Sequence, residues 1–168
     1  MALQIVTVCL TAVAMSLALA HALELPGKLR LEREAYVIVQ QIYYPGFTIA
    51  GMSEGLSIVA ALALLLTTPI DSSAFWWTLV GFLGLLAMHA AYWIITHPVN
   101  KFWLKDRQLK GLGDAFFAIG PARRDDRDVI EAADLWKRYR DRWEYSHVLR
   151  AVLSGIAFVA LVIALAIQ

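Results

Sequence analysis

At 168 residues the chain is long enough for one ordinary domain, but 60% of it is hydrophobic, against roughly 45–50% in soluble domains, so water is not its only solvent. The formal net charge of +1, from 15 basic and 14 acidic residues, hides a strong segregation, but the basic loop is balanced by Asp and Glu and so reads as a solvated face in preference to a nucleic-acid-binding one. The one cysteine, Cys9, excludes an intrachain disulfide and any cysteine cluster built by a single copy; within its apolar run it reads as a small buried hydrophobe.

The first element, Leu3 to Leu23, is long and apolar enough to span hydrocarbon, which takes about 20 residues. Ala18-Leu19-Ala20 resembles a signal-peptide cleavage site, but no Lys or Arg precedes the apolar run, so a retained helix is expected. After the basic residues Lys28, Arg30 and Arg33 come a second span, Phe47 to Thr68, a short turn, and a third span, Phe75 to Ile95. His97-Pro98 is expected to break or kink that helix, because Pro98 removes a backbone donor and frees carbonyls near residue 94.

Residues 96–147 then read as one long charged loop, in which the stretch from Lys101 to Phe117 suits the interface. Asp125 and Asp126 can cap a helix starting near Arg127 that runs without a breaker into the last span, Val148 to Ile167. Along it Trp136, Tyr139, Trp143, His147 and Arg150 fall within roughly an 80° sector. The fold class is therefore all-α: residues 1–168 form a single integral-membrane four-helix bundle with a cytoplasmic amphipathic helical extension before the last span. Since a spanning segment must satisfy its own backbone groups, each span is a helix. Basic residues confined to the two loops on one face make that face cytoplasmic, with both termini on the other side.

Ionisable residues inside a membrane helix are costly and point to function. Glu54 lies about 10 Å below the inner interface on the second span and His89 about 9 Å below it on the third, counted at 1.5 Å per residue. His21 and Glu24 sit one turn apart at the inner end of the first span. His21, Glu54, His89 and His147 are expected to converge on one polar pocket, with Asn100, Trp143 and Arg150 at its mouth and His97 turned away. Gly51 and Gly55, flanking Glu54, would let a neighbouring helix approach. His21, Glu24, Glu54 and His89 form a candidate metal set, suited to Fe or Cu; haem is limited by His89 alone being deep enough, and a simple Glu54–His89 structural pair is the plain alternative. No nucleotide motif or nucleophile elbow is present, and four helices without paired broken helices or an evident inverted repeat argue against transport.

The series His21-Ala-Leu-Glu24-Leu-Pro26, His97-Pro98-Val-Asn100-Lys-Phe-Trp103 and Arg142-Trp143-Glu-Tyr-Ser-His147-Val-Leu-Arg150 resembles the small four-helix membrane proteins grouped with fungal anthrone oxygenases. The resemblance implies oxidation of an anthrone carbon to a quinone by dioxygen. In this chain it implies a lipophilic aromatic or quinone-type substrate arriving from the bilayer, held by Trp143 and Tyr44. His147 or Glu54 would be the base near His89, Arg150 and Asn100 would stabilise the enolate oxygen, and a metal is optional, with cofactor-free oxidation also open. The expected location is a bacterial inner membrane. The reading from a different class is a non-catalytic accessory or scaffold subunit of a larger membrane complex, whose polar cluster fixes helix register and whose cytoplasmic helix docks a protein partner.

Overall fold

The computed structural model describes the backbone of residues 1–104 and 133–167, and side chains at 1–100 and 135–167. Among these residues every regular element is helical: α1 (Ala2–Lys28), α2 (Arg33–Val39), a 3-10 turn (Gln40–Tyr43), α3 (Gly46–Ala50), α4 (Met52–Thr67), α5 (Ser73–Ala91), a π-helical turn (Tyr92–Thr96), α6 (His97–Leu104) and α7 (Ala133–Ala166). Among the described residues four stretches are long and apolar enough to cross a membrane: Ala2–Lys28, Gly46–Thr67, Ser73–Asn100 and Leu135–Ala166. The chain is an all-α integral-membrane bundle, and its outward surface carries Val59, Leu66, Leu83, Ile94, Val152 and Val159, all more than half exposed.

The inward face of α1 is Gln4, Thr7, Thr11, Ala14, Ala18, His21 and Lys28, an alternating three- and four-residue spacing that keeps one seam turned to its neighbours. Lipid tails give no hydrophobic drive between helices, so small residues that permit close contact carry the packing. The hydroxyls of Thr7 and Thr11 donate back to the carbonyls of Leu3 and Thr7, so their burial leaves no donor unpaired. Cys9, expected inside, faces outward, two positions from both Thr7 and Thr11 and so on the side of the helix away from the seam.

The closest helix approach also differs from expectation. A Cβ on Gly55 would meet nothing within 4 Å, and one on Gly51 would meet only carbonyls of its own turn. The tight contact is between α5 and α7, where a Cβ on Gly81 would lie 2.6 Å from Leu161 and one on Gly84 3.0 Å from Ala157. Around it pack Ala61, Leu64, Leu85, Ala157 and Leu161.

Pro98 does not break the third span. The backbone absorbs it as the π-helical turn and continues as α6, and the carbonyl of Ile94, four residues before the proline, accepts a hydrogen bond from Arg142 Nη2 at 2.9 Å. The loop expected over 96–147 is thus helical at both ends. α7 is unbroken over 34 residues. The helix start near Arg127 and most of the stretch from Lys101 to Phe117 lie outside the described residues. Trp136 and Trp143, from the aromatic stripe of α7, are buried against Tyr36, Tyr43 and Val99, so the stripe packs on the chain's own 29–47 segment. At the opposite end a concavity of about 410 Å³ is lined by Met1, Gln4, Thr67, Ser72 and Ile167, which places both chain ends and the short turn together.

Candidate functional site

The helical face that carries His21 and Glu24 continues to Lys28, the helix running on past the outward Pro26, and this ending to α1 builds the site. Lys28 is 3% exposed although it is a lysine at a helix end. Its Nζ lies 2.9 Å from Glu24 Oε2, 3.6 Å from Glu144 Oε1 and 3.2 Å from His21 Nδ1. It also sits over the rings of Tyr43 and Trp143, 4.6 and 5.0 Å from their centroids. Two carboxylates and two π faces compensate the ammonium for its lost hydration.

Those carboxylates are held in turn. Tyr43 donates to Glu24 at 2.6 Å, and Tyr36 donates to Glu144 at 2.8 Å. Glu144 is fully buried, and its Oε2 has no hydrogen-bond partner among the described residues. Burial, then the bond to Glu24, pushes the Tyr43 phenol above the ordinary tyrosine range. Burial, then the charge of Glu144, does the same to Tyr36.

His147, one turn beyond Glu144, is 4% exposed. Its ring centroid is 4.3 Å from that of His21 and 4.1 Å from that of Trp143, while His21 also meets Tyr43 at 4.4 Å and Phe47 at 4.8 Å. His147 Nδ1 is 2.9 Å from the Trp143 carbonyl oxygen, which can only accept, so Nδ1 carries the proton and Nε2 is the nitrogen with a lone pair. The Trp143 indole donates to Asn100 Oδ1 at 2.6 Å.

A second group stands one turn along α7. Glu54, 6% exposed, binds His89 Nδ1 at 2.9 Å through Oε1 and Arg150 Nη2 at 2.5 Å through Oε2. Trp93 Nε1 donates to His89 Nε2 at 2.9 Å, so His89 Nδ1–H donates a hydrogen bond to the carboxylate and both ring nitrogens are engaged. Arg150 lies over the ring of Tyr92, 5.1 Å from its centroid.

The four residues expected in one pocket therefore form two adjoining pairs, His21 with His147 and Glu54 with His89; His147 and Arg150, three residues apart on α7, connect them. The His89 side chain is 40% exposed and the least enclosed of the four. His97 is buried beside Tyr92 and Trp93. The tyrosine whose ring meets Trp143 is Tyr43, at 6.3 Å, and not Tyr44, which the 3-10 turn leaves half-buried one position on.

The expected metal set does not assemble: among the described residues no group of three or more His, Cys, Asp or Glu could hold a metal ion. His21 and Glu24 share their site with the Lys28 ammonium, and His89 has no nitrogen to spare. Lys28, Glu144, Tyr36 and Tyr43 are the members that sequence reasoning missed. The signal for Lys28 was its place seven residues after His21, on the same helical face.

A family model described as Anthrone oxygenase matches residues 40–160, a range that holds Glu54, His89, Asn100, Trp143, His147 and Arg150 but not His21, Glu24 or Lys28. No curated protein and no solved structure matches the chain.

Proposed function

The chain belongs to the anthrone oxygenase family, and from that premise we propose that it oxidises a lipophilic aromatic or quinone-type substrate drawn from the bilayer, using the polar cluster at the end of the bundle remote from the chain termini. The observation that carries this reading is the bare Nε2 of His147, a base buried among Trp143, His21 and the rings that flank it. In the net reaction a methylene and dioxygen become a carbonyl and water. His147 removes a proton from the methylene, the enolate adds dioxygen, protonation gives a hydroperoxide, and loss of water leaves the ketone. Glu54 is less suited to be the base, since both its oxygens already accept charged or polar hydrogen bonds. The Lys28 ammonium supports the cofactor-free form of this chemistry, because it sits where a metal shared by His21 and Glu24 would have to sit.

Dioxygen uptake and quinone formation from an anthrone by the protein in lipid nanodiscs test the proposal against protein-free discs. His147→Ala is expected to lower kcat by about 10²–10⁴-fold, the span of general-base effects. If the wild type gives no turnover above the protein-free rate, the accessory-subunit reading takes its place; the saturation of Glu54 by Arg150 and His89 fits that reading too. The orientation proposed with it puts both termini on the non-cytoplasmic side of a bacterial inner membrane, because the cationic loops share one face. A periplasm-only reporter fused after Gln168 is expected to be active and a cytoplasmic one silent.

A further inference from the structure

Lys28 Nζ is 3.2 Å from His21 Nδ1, and an ammonium has protons to give and no lone pair. His21 Nδ1 must then be the acceptor, which leaves its one proton on Nε2. His147 has the opposite tautomer, with its proton on Nδ1, tied to the Trp143 carbonyl, and its lone pair on Nε2. Two buried imidazoles with centroids 4.3 Å apart thus offer complementary groups, an N–H from His21 and a base from His147, and among the described residues neither Nε2 has a hydrogen-bond partner. Of the groups that the resemblance offered for the enolate oxygen, Asn100 accepts from Trp143 through Oδ1 and Arg150 donates to Glu54 through Nη2, while the buried Arg150 Nε has no hydrogen-bond partner among the described residues.

We propose that His21 is a second catalytic residue, donating its Nε2–H to the enolate oxygen as His147 withdraws the proton from carbon, and that Lys28 is the positioning residue that fixes the His21 tautomer. Removing a carbon-bound proton next to a conjugated carbonyl places negative charge on oxygen, so a donor aimed at that oxygen lowers the barrier more than it tightens ground-state binding. Lys28 enforces the donor twice over: it occupies Nδ1, and its charge polarises the ring toward giving up the Nε2 proton. Glu24 and Glu144 hold the ammonium in place at 2.9 and 3.6 Å. His21 and Lys28 lie before residue 40, where the family match begins, so the assignment is drawn from this chain's own geometry.

The inference rests on the proposed oxidation, and the experiment separates the two. ¹⁵N-histidine NMR of the full chain in nanodiscs, with signals assigned by single His→Gln variants, is expected to show His21 with a protonated Nε2 and bare Nδ1, and His147 with the reverse. Lys28→Met is expected to mix the His21 tautomers. In the dioxygen-uptake assay His21→Ala is expected to lower kcat by about 10²-fold with KM within about threefold, the scale for one lost oxyanion donor. His21→Gln, which keeps an amide N–H, and Lys28→Arg, which keeps the cation, are expected to recover part of the loss. A wild-type His21 protonated on Nδ1 or on both nitrogens overturns the inference with or without activity, as does an unchanged kcat in His21→Ala when the wild type turns over. A wild type that is inactive but shows the expected tautomers overturns the oxidation and with it the catalytic role of His21, leaving only the Lys28 contact.

Discussion

Arg150 on α7 reaches Glu54 on α4 with Nη2 2.5 Å from Oε2, while His89 on α5 holds the other carboxylate oxygen at 2.9 Å, so one glutamate joins three helices. The pair is enclosed, its side chains 11% and 7% exposed. Removing one member of such a pair strands the other charge. Glu54→Leu is therefore expected to destabilise the folded bundle by about 3–5 kcal/mol, and Glu54→Leu with Arg150→Leu to recover a large part of it. Denaturation midpoints in one detergent decide this; a double variant no more stable than Glu54→Leu alone contradicts it.

The glycines give a sharper contrast. A methyl on Gly84 would lie 3.0 Å from the Ala157 methyl and 3.2 Å from the Leu153 carbonyl oxygen, and the two helices would have to part. Gly84→Ala is expected to cost about 1–3 kcal/mol by overpacking. Gly55→Ala adds a methyl into open space within a helix and is expected to stabilise by up to about 1 kcal/mol. Thermal midpoints that move together for the two variants would show that α5 and α7 do not meet here as described.

The same pair of positions shows what the sequence could and could not disclose. The four spans, and the unbroken run of α7 from Trp136 onward, were legible because bilayer thickness and the lack of breakers leave few options. Gly51 and Gly55 looked like a packing motif because a four-residue spacing marks one helix face, but spacing does not say what faces it. Glu54 and His89 could be matched by depth, which hydropathy supplies. Lys28 could not be read that way, because a lysine beside Arg30 and Arg33 reads as a topogenic loop charge; only the fold of the 29–47 segment over it makes it a buried ammonium. Tyr36 and Glu144 meet across 108 positions of sequence, and no local pattern signals that pairing.

Tyr36 and Tyr43 should report the closure of that segment. Their folded-state pKa values are raised above the ordinary value near 10 by burial and by Glu144 and Glu24. A group with a raised folded pKa stabilises fully below its unfolded pKa and loses that contribution as pH climbs through the folded one. Stability is thus expected to be level with respect to these two phenols up to about pH 10 and to fall above it. Tyrosinate absorbance is the measurement: of the six tyrosines, Tyr36 and Tyr43 should ionise only when the protein unfolds. In Tyr36→Phe with Tyr43→Phe the late, unfolding-linked part of the titration should shrink; an unchanged late phase would place it on other residues.

Lys28 also governs what the site can bind. His21 Nδ1, Glu24 Oε2 and Glu144 Oε1 lie 3.2, 2.9 and 3.6 Å from its Nζ, so three metal-ligating atoms surround one point that a cation of the protein already holds. A divalent ion 4 Å from that ammonium would meet a repulsion on the order of 8 kcal/mol at an effective dielectric constant near 20. Dialysis against a chelator is accordingly expected to leave the wild-type rate of quinone formation unchanged. Lys28→Ala removes the competing charge and leaves an imidazole and two carboxylates, which need to close by roughly 0.7–1.6 Å to reach ligand distances near 2.0–2.2 Å. That variant is expected to take up Co²⁺ with a visible d–d spectrum, and the wild type is not. Cobalt bound equally by both forms, or a wild-type rate abolished by chelator and restored by metal, would mean that Lys28 does not occupy the position that a metal would need.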